Sequence, residues 1–145
     1  IGITVEHPVA YVHTQNGLVE SFIKRLLLIA RPSLMGSKLP LSAWGHAILH
    51  AATLVRIRTT NYHLYSPLQL VFGFEPNIFH LRIFGCAVYV PIAPSQRRKL
   101  GTQRLLRIYV GYESPSIVKY IELLTGDLLL EDLQIVILMN HIFRH

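Results

Sequence analysis

The sequence predicts an α+β chain in which helices come first and a small antiparallel β-barrel follows. Three observations carry this. Up to Pro76 the apolar residues recur at the three-to-four-residue spacing of a helix face. Beyond Pro76 the period shortens to two, as in half-buried strands. Turn-forming residues gather at the joints, as at Ser66-Pro67, Gly73 and Thr125-Gly126-Asp127.

Asn16-Gly17 opens the first helix, and Leu18, Phe22, Leu26 and Ile29 share one stripe of it. Lys24, Arg25 and Arg31 leave that stripe and face outward. Pro32 lacks an amide proton and crowds the preceding turn, so it is expected to end or bend the helix. A second helix is expected from Ser42, a good N-cap, towards Thr59, with Trp44, Ile48, Ala51 and Val55 as its apolar face. Ser66 caps a short third helix with Pro67 at its first position, running through Leu70 and Phe72 to Gly73. Trp44 and Phe72 read as core residues.

Residues 87–92, 107–112 and 118–122 alternate as strands, and Thr125-Gly126-Asp127 turns the chain into another. Between the first two strands lies the basic loop Gln96-Arg97-Arg98-Lys99. Short strands joined by tight turns are the pattern of a small barrel.

Apolar residues make up 51% of the 145 residues, enough for a real core and too many for a disordered chain. No apolar run reaches the roughly 18–20 residues needed to cross a bilayer, so no membrane partner is expected. No leader pattern is seen, which points to a nuclear or cytoplasmic protein and away from secretion. The single cysteine, Cys86, excludes an internal disulfide framework and a cysteine-rich zinc module; it reads as a small buried hydrophobe. Charge is uneven. Residues 1–120 hold 13 Lys or Arg against four glutamates, whereas residues 121–145 carry a net charge of −3. A basic body of this kind suits a polyanionic partner, usually nucleic acid.

Four motifs occur in order: His13-Thr14-Gln15-Asn16-Gly17-Leu18-Val19-Glu20-Ser21 with Phe22-Ile23-Lys24-Arg25-Leu26 after it; Leu39-Pro40-Leu41-Ser42-Ala43-Trp44; Ser66-Pro67-Leu68-Gln69-Leu70-Val71-Phe72-Gly73; and Leu81-Arg82-Ile83-Phe84-Gly85-Cys86-Ala87-Val88-Tyr89-Val90, with Tyr109-Val110-Gly111-Tyr112 beyond. Together they resemble the integrase region of copia-type retrotransposon Pol polyproteins, over roughly residues 1–130. The resemblance implies three parts: residues 1–76 as the C-terminal helices of an RNase H-like catalytic core, residues 77–130 as the SH3-like domain that follows it, and residues 131–145 as an aberrant tail.

The resemblance also implies a chemistry. Such integrases hold two divalent metals, Mg2+ or Mn2+, with three carboxylates, and the metals activate the attacking oxygen and stabilise the leaving one. Glu20 matches the third carboxylate. Gln15 and Asn16 would touch the DNA backbone through their amides, while Lys24, one turn beyond Glu20, and Arg25 would meet phosphates. The two aspartates of the pattern belong upstream. None of Glu6, Glu75, Glu113, Glu122 or Asp127 stands where the pattern needs it. The expectation for these residues alone is therefore no metal site, no cofactor and no enzyme activity.

Outside the motifs, Arg97, Arg98, Lys99, Arg104 and Arg107 form the densest basic cluster, with Tyr109 and Tyr112 close in sequence. The cluster either tracks DNA phosphates or is a solvated loop. His46 and His50 have i, i+4 spacing, but no glutamate follows His46, and an interfacial pair is favoured over a zinc site. Taken from its central sheet, the apolar stripe of Leu18, Phe22, Leu26, Trp44 and Ile48 favours self-association. The competing reading is a small basic nucleic-acid-binding barrel with a helical extension and no enzymatic role.

The tail reads as a frameshift product. Back-translating Asp132 through Arg144 and shifting the frame by one base permits Phe-Ala-Asp-Cys-His-Phe-Asp-Glu-Ser-Tyr-Phe-Pro. That string resembles the closing strand of the copia-type domain, and Met139-Asn140 compels its glutamate. Poor packing is expected after Glu131.

Overall fold

The computed structural model describes residues 16–122, 124–132 and 137–138. Helix α1 runs Gly17–Ser37, α2 Trp44–Ile57 after a single 3-10 turn, and α3 Pro67–Phe72. The strands are β1 Ala87–Pro91, β2 Arg104–Ser114, β3 Ile117–Ile121, β4 Leu128–Asp132 and β5 Ile137–Leu138. They form one antiparallel sheet in the order β4-β3-β2-β1-β5. The expected α+β class holds. Among the described residues the sheet is open, with β4 and β5 at its two edges.

Helix α1 does not stop at Pro32; it continues to Ser37, where Lys38 takes a left-handed conformation. The missing backbone donor is outweighed by burial on both sides of it, since Ala30 before the proline and Leu34 after it both sit in the core. In the same turn Ser33 Oγ donates to the Ile29 carbonyl at 2.8 Å. The second helix also differs from expectation. Ser42 lies in the 3-10 turn and caps nothing, and α2 starts at Trp44 behind Ala43. Its buried face is Ala47, His50 and Ala51, with Trp44 and Ile48 at the margin. Small side chains at Ala30, Ala43, Ala47 and Ala51 let α1 and α2 come close, and interhelical spacing follows side-chain size. Phe84 and Val110 close this core from the sheet side.

The third helix is as the sequence predicts. Ser66 Oγ accepts from the Gln69 amide at 3.2 Å, and Gly73 ends the helix at φ 75°. Phe72, however, is not a core residue: it is 57% exposed and meets Phe74, ring centroids 5.9 Å apart. Six residues give α3 too short a face to bury its aromatic ring, and none of its residues is buried.

A second cluster, Val88, Val90, Tyr109, Val118 and Tyr120, belongs to the sheet. The register sets Tyr109 opposite Tyr120 in this cluster. The ladder between β2 and β3 slips at Val110 and again at Glu113, so β2 bends there. Before β1 the chain already pairs with β2, because Gly85 donates to the Tyr109 carbonyl and Tyr109 to the Cys86 carbonyl, each at 2.9 Å. Of the tail, residues 133–136 and 139–145 lie outside the described residues, so the expected poor packing there falls outside them too. Ile137 and Leu138 pair with Tyr89 and Val88 through the backbone.

Candidate nucleic-acid interface

The basic loop is built from β1 to β2. Pro94–Gln96 makes one 3-10 turn, and Ile92 N donates to the Gln103 carbonyl at 3.0 Å to close the loop at its base. Inside it Gly101 N reaches the Arg98 carbonyl at 3.1 Å. The Gln103 amide donates to the Arg98 and Gly101 carbonyls at 3.2 and 3.3 Å. Arg97 Nε donates to the Ile92 carbonyl. These bonds hold the backbone and leave Arg97, Arg98 and Lys99 exposed. Among the described residues none of the three makes an ion pair.

The rest of the cluster is divided. Arg104, also exposed, opens β2. Arg107 is half-buried and held by Glu122, Nη2 to Oε1 2.6 Å, which cancels much of its field. Lys119 pairs with Glu113 on the same sheet. Tyr109 is fully buried, and burial pushes its phenol up to about 12, so it is a packing residue and offers no face to a base. Tyr112 is half-buried against the His80 ring, centroids 4.3 Å apart, with its hydroxyl 3.4 Å from Thr53 Oγ1.

On α1, Asn16, Glu20, Lys24 and Arg25 are all exposed, with Glu20 in the first turn and Lys24 one turn further on. Gln15 lies outside the described residues. Asn16 precedes the helix without a side-chain capping bond. Glu20 has no carboxylate gathered round it: among the described residues no three His, Cys, Asp or Glu side chains converge to hold a metal. Two magnesium ions need several converging oxygens, so the residues here do not fit a two-metal centre.

The i, i+4 histidines are separated by burial. His46 is half-buried, and its pKa is lowered by burial and then by Lys119. His50 is buried, its pKa lowered by burial, and it stands between Phe84 at 5.6 Å and Tyr109 at 6.2 Å in an edge-on contact. It joins α2 to the sheet. Cys86 packs beside the sheet cluster, and burial raises the pKa of its thiol. Sequence reasoning missed Arg82, whose Nη1 donates to the Leu81 carbonyl at 2.7 Å and also to Phe79, tying the segment before β1. It also missed a cleft between α1 and residues 58–63 lined by Arg25 and Arg58. The cleft joins segments distant in sequence, whereas the Arg82 bonds are local, reaching one and three residues back.

Comparison with known proteins places this arrangement. The chain is similar to the retrovirus-related Pol polyproteins from transposons RE1 and RE2 of Arabidopsis thaliana. Each is 32% identical over 111 residues, covering 74% of this chain and 8% of the polyprotein. It is also similar to the retrovirus-related Pol polyprotein from transposon TNT 1-94 of Nicotiana tabacum, 30% identical over 112 residues, 77% of this chain and 8% of the polyprotein. No family model matches the chain. No solved structure matches it either. The chain belongs to the retrovirus-related Pol polyproteins. More particularly, it corresponds to one segment of a retrotransposon Pol polyprotein, and spans about 8% of the length of the curated relatives it matches.

Proposed function

We propose that this segment comes from the integrase region of a copia-type retrotransposon, with residues 1–76 ending an RNase H-like core and residues 77–130 forming an SH3-like module behind it. The four sequence motifs in family order support this, as does the placing of Glu20 in the first turn of a long helix. The parent chemistry is metal-dependent DNA strand transfer. Of that centre's three carboxylates Glu20 matches one, and the reading for these residues themselves is DNA binding.

The observation that carries the binding reading is the β1–β2 loop, whose backbone is pinned while Arg97, Arg98 and Lys99 stand exposed and, among the described residues, unpaired with carboxylates. Three cations on a held loop can follow a phosphate backbone without reading bases, which gives weak, non-specific, salt-sensitive binding. Duplex DNA binding measured against salt tests it. Replacing all three with alanine is expected to lower the magnitude of the log–log slope by up to about 3, roughly 0.9 for each lost phosphate contact. An unchanged slope assigns these charges to solvent.

A further inference from the structure

We propose that the cleft between α1 and the turn after α2 is a separate binding site for single-stranded nucleic acid, with Tyr62 as its stacking platform. This rests on the nucleic-acid reading above and extends it to a surface on other elements.

The cleft has a volume of about 710 Å³, well inside the range of about 300–1,000 Å³ typical of ligand sites. Its apolar lining is Leu28 and Ile29 of α1 and Val55 of α2. Its polar lining is cationic and donor-rich, with Arg25, Arg58, Thr59 and His63, and among the described residues no carboxylate lines it. The C-terminal end of α2 adds a partial negative charge of about half a unit, which two guanidiniums outweigh.

The turn beside it is built to present one ring. Thr60 N donates to the His63 carbonyl at 3.2 Å, and His63 N to the Thr60 carbonyl at 3.1 Å. This reciprocal pair closes a two-residue tip, and Tyr62 stands on it 93% exposed. A tyrosine left in water has no packing reason to be there, and a held tip reduces the entropy lost when something stacks on it.

Apolar and cationic lining beside an exposed aromatic ring suits a nucleotide chain whose bases are unpaired. Phosphates meet Arg25 and Arg58, and a base stacks on Tyr62. A duplex conceals its base faces and gains nothing from the ring. DNA and RNA single strands share this chemistry.

The test uses the whole 145-residue chain with fluorescent oligothymidylate, oligouridylate and a mixed-sequence duplex, read by anisotropy. Tyr62→Ala is expected to weaken single-strand binding at least about fivefold, the lower end for loss of one stacked base, and to leave duplex binding unchanged. Tyr62→Phe should keep the affinity, because it keeps the ring. Arg25→Ala with Arg58→Ala should lower the single-strand salt slope by about 1.4, at about 0.7 for each phosphate. The two oligonucleotides, compared directly, show whether DNA or RNA is preferred. Equal single-strand affinity for Tyr62→Ala and the unmodified chain overturns the proposal, as does an equal loss on the duplex. The R97A/R98A/K99A variant separates the two readings: it tests the β1–β2 loop on duplex DNA and should leave the Tyr62 effect on single strands in place. All the substituted side chains are exposed, so unchanged circular dichroism is expected throughout.

Discussion

Gly85 lies against Ser37 so closely that a Cβ on the glycine would stand 2.1 Å from the serine Cβ. Gly85 also holds φ +79°, a conformation that costs other residues strain. The contact joins the last turn of α1 to the segment entering β1, so the helical layer and the sheet meet where no side chain fits.

Gly85→Ala is therefore expected to destabilise the chain by about 2 kcal/mol or more, combining left-handed strain with a backbone displacement. Urea denaturation measures it. A midpoint within error of the unmodified chain would show that the two layers separate freely at this point.

Acid should loosen the same junction. Burial lowers the pKa of His50, so the fold favours its neutral form, while the unfolded chain titrates near about 6.5. The unfolded state then binds more protons below that value, and stability present above it is lost as pH falls. His46 and His80 are shifted the same way, by burial first and then by Lys119 and Arg82 respectively. The melting midpoint is expected to drop from about pH 7.5 to about pH 5.5, and His50→Phe should flatten that dependence. An equal drop in the variant would remove His50 from the account.

Self-association is expected through the outer face of α1. Leu18 is 88% exposed and Phe22 46%, whereas Leu26, Trp44 and Ile48 of the same expected stripe pack against the helical core. Exposed apolar area of this kind draws copies together. Light scattering should report oligomers that L18S/F22S disperses; a monodisperse monomer without substitution counts against the idea.

Strand transfer should be absent from these 145 residues alone, in magnesium or manganese, because among the described residues no carboxylates converge with Glu20. Labelled duplex DNA is the substrate to use. Cleavage that disappears in Glu20→Gln would reverse this assignment.

The helices, the Ser66 cap, the Gly73 stop and the first three strands were legible because each depends on neighbours within a few residues. Ser66 Oγ reaches Gln69, three positions on, and alternation along β1 shows as alternating burial. The basic loop was legible for the same reason: its charges are consecutive. Phe72 was misread, and the helix's passage through Pro32 left undecided, for the opposite reason. Whether a helix survives a proline, or an aromatic ring is covered, depends on what packs on it from elsewhere.

By itself, then, the sequence determined the element types, their order and which charges lie together, since periodicity, capping and turn chemistry are local properties of the chain. Tertiary structure alone decided the rest. It tied Arg107 to Glu122, set His50 between Phe84 and Tyr109, and brought Arg25 and Arg58 to the two sides of one cleft. These pairs are far apart along the chain, and their distances follow from how helices and sheet close on one another, which no local pattern encodes.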